Sequence, residues 1–333
     1  MTLLSTLRSR RNSSLTVDGI IGHSGFVGRN LTQQHNFSGQ FNSRNIGESA
    51  GAEFDTLVCA AAPGSMFEAN NFPERDQAHI EALCQKLSAI KAQRLILISS
   101  IAVLADLAGK DLETTEAFQK DLAYGRHRRM LEAFCEDHFD DALILRLPAL
   151  FGTGLKKNFL FDLLNPVPTM LNAATMDRAL GVVASRDTDI LKEVYSLNPQ
   201  NGMFLLDRVA LGKTGAEARI AEVFNEHGLT AVQFTNPQTT FQFYGVDRLW
   251  RDIETANGQG IRIMHLATEP VAASRIHQAV TGRAMPETGA RLHHEDMRTL
   301  YTTKWGQSGP YLEDADQVVS RVTSFFNNQS KLK

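Results

Sequence analysis

Three glycines at a spacing of three, Gly22, Gly25 and Gly28, interrupt the stretch GIIGHSGFVGRNL that runs from Gly19 to Leu31. The apolar, β-branched segment Leu15 to Ile21 precedes them, and Val27 and Leu31 resume the apolar pattern with helical spacing. A strand that feeds a helix through glycines can turn tightly and bring the first backbone N–H groups of the helix up to a pyrophosphate. The loop therefore reads as a dinucleotide cradle with Gly22, Ser24, Gly25, Phe26, Val27 and Gly28 as contacts. Its spacing is G-x-x-G-x-x-G, not the G-x-G-x-x-G of most dehydrogenases.

A second strand, GQFNSRN, ends at Asn42, Ser43 and Arg44 with no Asp or Glu to bond the ribose 2′-hydroxyl of NAD. Arg44 with the Ser43 hydroxyl can instead hold a 2′-phosphate, which favours NADP as cofactor, with NAD as the alternative. The small residues of CAAAPG, Ala60 and Ala61 among them, let a flat ligand approach the end of their strand. In RLHHED, Arg291 to Asp296, two histidines stand beside two acids. Adjacent histidines cannot share a helix face, and the i, i+4 spacing of a zinc helix is missing, so we read a surface turn and expect no metal. The aromatics of FQFYGVDRLWRDIE, Phe241 to Glu254, read as core packing.

At 333 residues the chain exceeds the usual size of a single core, and its 43% apolar residues can fill two lobes. The formal charge of −3 argues against non-specific nucleic-acid binding, which needs a basic excess, and points to a small-molecule partner. Cys59, Cys84 and Cys135 form no C-x-x-C pair and read as buried thiols in a reducing, cytoplasmic setting. No apolar stretch approaches the roughly eighteen residues that span a bilayer, so a soluble protein without a membrane partner is expected. The head, MTLLSTLRSRRNSS, has Arg8, Arg10 and Arg11 and no acid before Asp18; we read residues 1–13 as a flexible N-terminus rather than a targeting peptide.

These residues are positioned by a regular alternation. Apolar runs LTVDGII, TLVCAAA, RLILISS and ALILRLP are separated by helical stretches such as QAHIEALCQKLSAIKAQ, whose Ile80, Leu83, Leu87 and Ile90 share one face. Continuous apolar strands between amphipathic helices imply a parallel sheet covered on both sides, an α/β doubly wound fold. After Pro148 the rhythm changes to helices such as GAEARIAEVFNEHG and short strands such as FQFYG and IRIMHLA, an α+β lobe. We expect a dinucleotide-binding Rossmann domain over 14–165 and a smaller C-terminal lobe over 166–333, interleaved with late strands of the first.

The glycine loop, together with LILISSIAVLAD (Leu95 to Asp106), YGRHRRMLE (Tyr124 to Glu132) and ILRLPALFGTGLKKNF (Ile144 to Phe159), resembles the extended short-chain dehydrogenase/reductases, the NAD-dependent epimerase/dehydratase family. The resemblance covers the first half of the chain well and the second half weakly. It implies that Ser100 holds the place of the catalytic Ser or Thr and orients the substrate. Tyr124, 24 residues further on, is the general acid/base. Pro148 falls beside the nicotinamide, and Lys157 and Asn158, with Lys156, in the loop that relatives turn towards substrate phosphates. The family pattern is Y-x-x-x-K; here Arg128 replaces the lysine, as ribose anchor and electrostatic partner of a phenol whose unperturbed pKa is about 10. A guanidinium, with a pKa above about 12, supplies charge but passes no proton onward. Ser100 is followed by Ile101 and Ala102 rather than the Asp-Glu pair of the dehydratases, which disfavours a 4,6-dehydratase. The helix Asn of many relatives is also missing, with Asp76 or Gln77 nearest. The implied function is an NAD(P)-dependent reductase or epimerase acting on a nucleotide sugar or related carbonyl or carbinol, and relatives commonly pair as homodimers. The alternative is a non-catalytic NAD(P)-binding or regulatory protein that has lost the proton relay.

Overall fold

The computed structural model describes residues 16–330, and the head over 1–13 lies outside them. The chain divides into two compact units. The first runs to Leu155 and returns for Phe241–Val271 and His294–Phe325; the second takes Lys156–Thr240 and Ala272–His293.

In the first unit β1 (Asp18–Ile21) leads through the glycine loop to α1 (Phe26–Gln34), followed by β2 (Gly39–Phe41) and β3 (Glu53–Cys59). Helices α2 (Met66–Asn71) and α3 (Pro73–Leu87) precede β4 (Lys91–Ser100), and α4 (Ala123–His138) precedes β5 (Ala142–Leu147) and the short β6 (Ala149–Phe151). The second unit holds α5 (Phe159–Leu164), β7 (Met170–Leu171), α6 (Ala173–Val182), α7 (Ser185–Val194), β8 (Tyr195–Asn198), β9 (Met203–Leu206), α8 (Arg208–Thr214) and α9 (Glu217–Glu226). Beyond these come β10 (Thr240–Phe241), β11 (Phe243–Gly245), α10 (Leu249–Gly258), β12 (Ile263–His265), β13 (Val271–Ala272), α11 (Ala273–Thr281) and α12 (Ala315–Ser330).

Six strands form one sheet in the order β12-β5-β4-β3-β1-β2, and every pairing is parallel. All carboxyl ends therefore lie along one edge. Alternate residues feed two cores: Ile21, Leu57, Cys59, Leu95 and Leu97 pack with Ile80 and Leu87 of α3 and Leu131 of α4. Ile20, Val58, Ile96 and Leu145 pack on the other face with Leu31 of α1 and Leu249 and Ile253 of α10. Two-sided burial is why these strands carry apolar residues at successive positions, Leu57 to Cys59 in β3, Leu95 to Ile98 in β4 and Ala142 to Leu145 in β5. The chain passes from β1 to β2 on one side and then to β3 on the other, so the sheet's switch point lies between β1 and β3, where open α/β sheets bind ligands. The doubly wound parallel sheet read from the sequence is thus observed.

The IRIMHLA stretch supplies β12, which pairs with β5 in the main sheet. FQFYG is broken at Gln242, whose side chain is fully buried and bonds the backbone of Met297 in both directions, and whose N–H donates to Glu295. Glu295 is consequently buried, so RLHHED is only in part the surface turn expected. Phe243 and Tyr244 are core residues, as expected. The second unit is α+β: the antiparallel sheet β7-β9-β8 packs with α6 to α9 around Leu171, Met176, Leu191, Leu211, Ile220 and Phe224. Cys59 and Cys135 are buried free thiols, and burial pushes the Cys59 thiol up to about 11. Cys84 is only half-buried, a correction to the expectation of three buried thiols. No described helix is long and apolar enough to cross a membrane.

Candidate active site at the carboxyl edge of the sheet

Gly22 follows β1 with φ +92°, and a Cβ there would lie 2.4 Å from the Ala60 carbonyl oxygen beyond β3. At Gly28 a Cβ would fall 2.1 Å from the Gly22 oxygen. Only glycines let the loop fold onto β3 and the first turn of α1 press onto the loop. Gly25 is the N-cap of α1, its N–H donating to the Gly22 carbonyl at 3.0 Å; no side chain caps the helix and its first turn carries no acid. The opening N–H groups of α1 are thus left for an anion, whose charge the helix dipole favours. Ser24 and Gly25 are exposed, Phe26 and Val27 half-buried, and Gly28 buried. Asn30 of α1 ties the loop to the segment beyond β6, donating to the carbonyls of Phe26 (2.8 Å) and Thr153 (3.0 Å).

The end of β2 lies against the same loop, since the N–H of Gly22 donates to the Phe41 carbonyl at 2.7 Å. Asn42 and Asn45 fold the next residues into a turn, the Arg44 N–H donating to Asn42 Oδ1 at 2.9 Å and the Asn42 N–H to Asn45 Oδ1 at 2.8 Å. Ser43 and Arg44 are exposed, and the Arg44 guanidinium has no ion-pair partner among the described residues. Ala60 and Ala61, half-buried, follow β3, and Pro148 is buried between β5 and β6.

Ser100 ends β4, its Oγ accepting the Ala102 N–H at 3.2 Å. Gly125 brings α4 against this segment: a Cβ there would lie 2.0 Å from the Ala102 oxygen. Tyr124, the preceding residue, packs with Ala69 and Ala102, is 9% exposed, and donates its backbone N–H to Asn70 Oδ1 at 2.9 Å. One turn on, the Arg128 guanidinium stacks over the Tyr124 ring at 4.3 Å. Arg128 is also committed elsewhere. Its Nη1 and Nη2 donate to both oxygens of Asp76 on α3 (2.7 and 3.0 Å), and Nη2 donates to the Pro63 carbonyl. His127 Nδ1 donates to Asp76 as well, at 2.8 Å. All three side chains are buried. Burial alone would raise the Asp76 carboxyl, but the hydrogen bonds and charges of Arg128 and His127 outweigh it and hold it below the usual carboxylate range. Asp76 is therefore a buried carboxylate that neutralises the Arg128 cation stacked on the Tyr124 ring.

Behind these residues lies a charged network that the sequence reading missed. Glu132, one turn beyond Arg128 and fully buried, accepts from Ser99 Oγ at 2.5 Å and from Arg146 Nε and Nη2 at 3.1 and 2.8 Å. Arg146 Nη1 donates to Nε2 of His265, whose Nδ1 donates to the Arg298 carbonyl. Burial and the nearby Arg146 charge keep the His265 imidazole below its ordinary pKa, despite the opposing pull of Glu113. The network joins α4, which carries Tyr124, to β4, which carries Ser100, and to β5 and β12. Its one signal in the sequence was an arginine inside the otherwise apolar run ALILRLP.

Lys157 and Asn158 belong to the second unit. Lys157 is exposed, while Asn158 is the N-cap of α5, its Oδ1 accepting from the N–H groups of Leu160 and Phe161 at 3.0 and 3.2 Å. Among the described residues no group of three or more His, Cys, Asp or Glu side chains is arranged to hold a metal ion.

Sheet order and glycine loop together define a Rossmann-type α/β fold. No family model and no curated protein sequence matches the chain. Solved structures do. A dTDP-4-dehydrorhamnose reductase from Yersinia enterocolitica is similar with a TM-score of 0.57 at 13% identity, over 93% of this chain and 99% of that one. The dTDP-4-dehydrorhamnose reductase from Bacillus anthracis in complex with NADP gives 0.59 at 12%, over 95% and 99%. A UDP-N-acetylglucosamine 4-epimerase from Methanobrevibacter ruminantium in complex with UDP-N-acetylmuramic acid gives 0.59 at 13%, over 96% and 100%. At these identities the likeness is one of fold.

Proposed function

We propose that the protein is an NADP(H)- or NAD(H)-dependent reductase or epimerase acting on a nucleotide-activated sugar or a related carbonyl or carbinol. The observation that carries the reading is the convergence on one sheet edge of a glycine cradle that a Cβ would fill and a Ser100–Tyr124 segment at the ends of β4 and the start of α4. The solved structures of this fold include a reductase in complex with NADP and a 4-epimerase in complex with a UDP-sugar derivative, which supports the same class.

The residues present fit a dinucleotide. Gly22 to Gly28 would hold its pyrophosphate, Ser43 and Arg44 its adenosine ribose and 2′-phosphate, and Ala60, Ala61 and Pro148 would line its rings. When bound it supplies or accepts a hydride. Tyr124 gives the hydroxyl proton to the substrate oxygen in reduction or takes it in oxidation, and Ser100 orients that oxygen by a hydrogen bond. Arg128, stacked on the phenol and clamped by Asp76, fixes the ring; its role as ribose anchor requires one guanidinium edge to leave that clamp. Lys157 and Asn158 are assigned to the substrate phosphates, with Asn158 Oδ1 already engaged as a helix cap. Free thiols and the charge of −3 support a cytoplasmic protein without a nucleic-acid partner, and a homodimer is part of the proposal.

The test is oxidation of NADPH and NADH by the full chain with a panel of nucleotide-activated keto sugars. We expect turnover that Tyr124→Phe lowers by about 10²–10⁴-fold, the usual weight of a general acid. Cofactor binding without turnover on any member of the panel, or activity indifferent to Tyr124→Phe, would favour the non-catalytic reading, which draws its support from the locked Arg128.

A further inference from the structure

The first unit carries a second group of charged side chains, to which the proposed function gives no role. Residues of α10, of the short turn Thr302–Trp305 and of the start of α12 line a cleft of about 370 Å³, a size that holds a small ligand. None of its lining residues belongs to the glycine loop, to the ends of β1 to β5 or to α4. The cleft is built on a buried lattice. One Asp252 oxygen accepts from Arg248 Nε (2.7 Å) and the Tyr244 hydroxyl (2.6 Å), the other from Trp305 Nε1 (2.9 Å) and Arg248 Nη2 (3.2 Å). Glu313 Oε1 pairs with Arg248 Nη1 and Arg321 Nη1 at 2.8 and 3.3 Å, and its other oxygen is shut away from solvent. Both acids of the cleft are thus already matched. Its outer cations are not: Arg251 and Lys304 are exposed and have no ion-pair partner among the described residues. Gln317 accepts the Asp314 N–H through Oε1 at 2.9 Å, which leaves its NH₂ end as a donor. Trp305 is half-buried, and the bond from its ring nitrogen to Asp252 fixes the plane of the indole. Two like charges lining one cleft repel, and an anion held between them turns that repulsion into attraction.

We propose that this cleft is a second ligand site, separate from the glycine loop, for a planar heterocycle that bears a phosphomonoester, the chemistry of a nucleoside monophosphate. The ring stacks on Trp305, and Arg251 and Lys304 hold the phosphate with the Gln317 amide as a further donor. A phosphomonoester carries about −1.5 to −2 charges at pH 7, which matches the two unpaired cations. Hydrogen bonds from cations to its oxygens are charge-assisted, and stacking on an aromatic side chain tolerates any base. The proposal does not depend on the dinucleotide reading of the glycine loop.

Adenosine 5′-monophosphate, adenosine and inorganic phosphate separate the ring from the charge. Trp250→Phe leaves Trp305 as the one tryptophan, a fluorescent reporter in the wall of the cleft. The full chain is titrated with each probe by Trp305 emission in that variant and by calorimetry in the wild type. We expect adenosine 5′-monophosphate to quench Trp305 saturably, with adenosine and inorganic phosphate each about ten-fold weaker or more. Arg251→Ala and Lys304→Ala, both at exposed positions, should each weaken the monophosphate by about ten-fold, and Lys304→Arg, which keeps the charge, should recover part of the loss. If the monophosphate binds without a change in Trp305 emission, or binds equally well to Arg251→Ala and Lys304→Ala, it sits elsewhere and the proposal falls. Equal affinity for the monophosphate and inorganic phosphate would show that Trp305 holds no ring, which overturns the ligand class. Absence of binding by calorimetry at about 10 mM, a free energy of under about 3 kcal/mol, overturns the site itself.

Discussion

The Arg128–Asp76 pair decides what the tyrosine site can be. Replacing a lysine by arginine at i+4 would by itself leave a fixed positive charge beneath the phenol, but Asp76 holds the guanidinium with two hydrogen bonds in a buried setting. Breaking one member of such a pair is far worse than never having made it, because the remaining charge stays buried without a partner. Asp76→Asn is therefore expected to destabilise the protein by about 3 kcal/mol at neutral pH, read from urea unfolding. The sign with pH follows from the depressed Asp76 carboxyl: its contribution is present above the unfolded pKa of about 4 and is lost as pH falls through the lower folded value. The gap between wild type and Asp76→Asn should accordingly shrink as pH falls below about 4. A constant gap from pH 7 to pH 3 would show that the carboxylate charge is not what holds Arg128. None of this was legible beforehand, since Asp76 and Arg128 are 52 positions apart and meet only through the packing of α3 on α4.

Among the elements, those with strong periodic patterns were read well. The GIIGHSGFVGRNL stretch forms strand, loop and helix as its glycines demand, and the GAEARIAEVFNEHG stretch forms α9. Short pieces were harder. Helix α2 has only six residues, and its start is fixed by Ser65 accepting the Glu68 N–H rather than by an apolar period. Helix α5 carries a property that the sequence did not signal at all. Burial pushes the Asp162 carboxyl up to about 7, and the charge of Arg208 only partly offsets this. A carboxyl raised in the folded state contributes stability in full below the unfolded pKa of about 4 and loses it as pH rises through 7. The thermal midpoint should fall between pH 5 and pH 8, and Asp162→Asn should flatten that fall, adding roughly 1–3 kcal/mol at pH 8. An unchanged slope in the variant would mean that Asp162 ionises freely.

For the molecule as a whole, the fold was recovered from alternation and spacing although no family model or curated sequence matches it and the similar solved structures share only 12–13% identity. A parallel sheet asks only for apolar runs of the right length, helices of the right face and glycines where the backbone must crowd, and many sequences meet those demands. The site needs more: which buried charges pair, as in Glu132 with Arg146, is settled by three-dimensional contact and leaves little trace in spacing. The central claim, that the glycine loop is a nicotinamide dinucleotide cradle, is tested most directly by equilibrium titration of the full chain with NADPH and NADH. Trp250 and Trp305, the two tryptophans, serve as fluorescence donors. We expect saturable binding, tighter for NADPH, with the difference reduced in Arg44→Ala. Absence of binding for both cofactors at millimolar concentration would contradict the account.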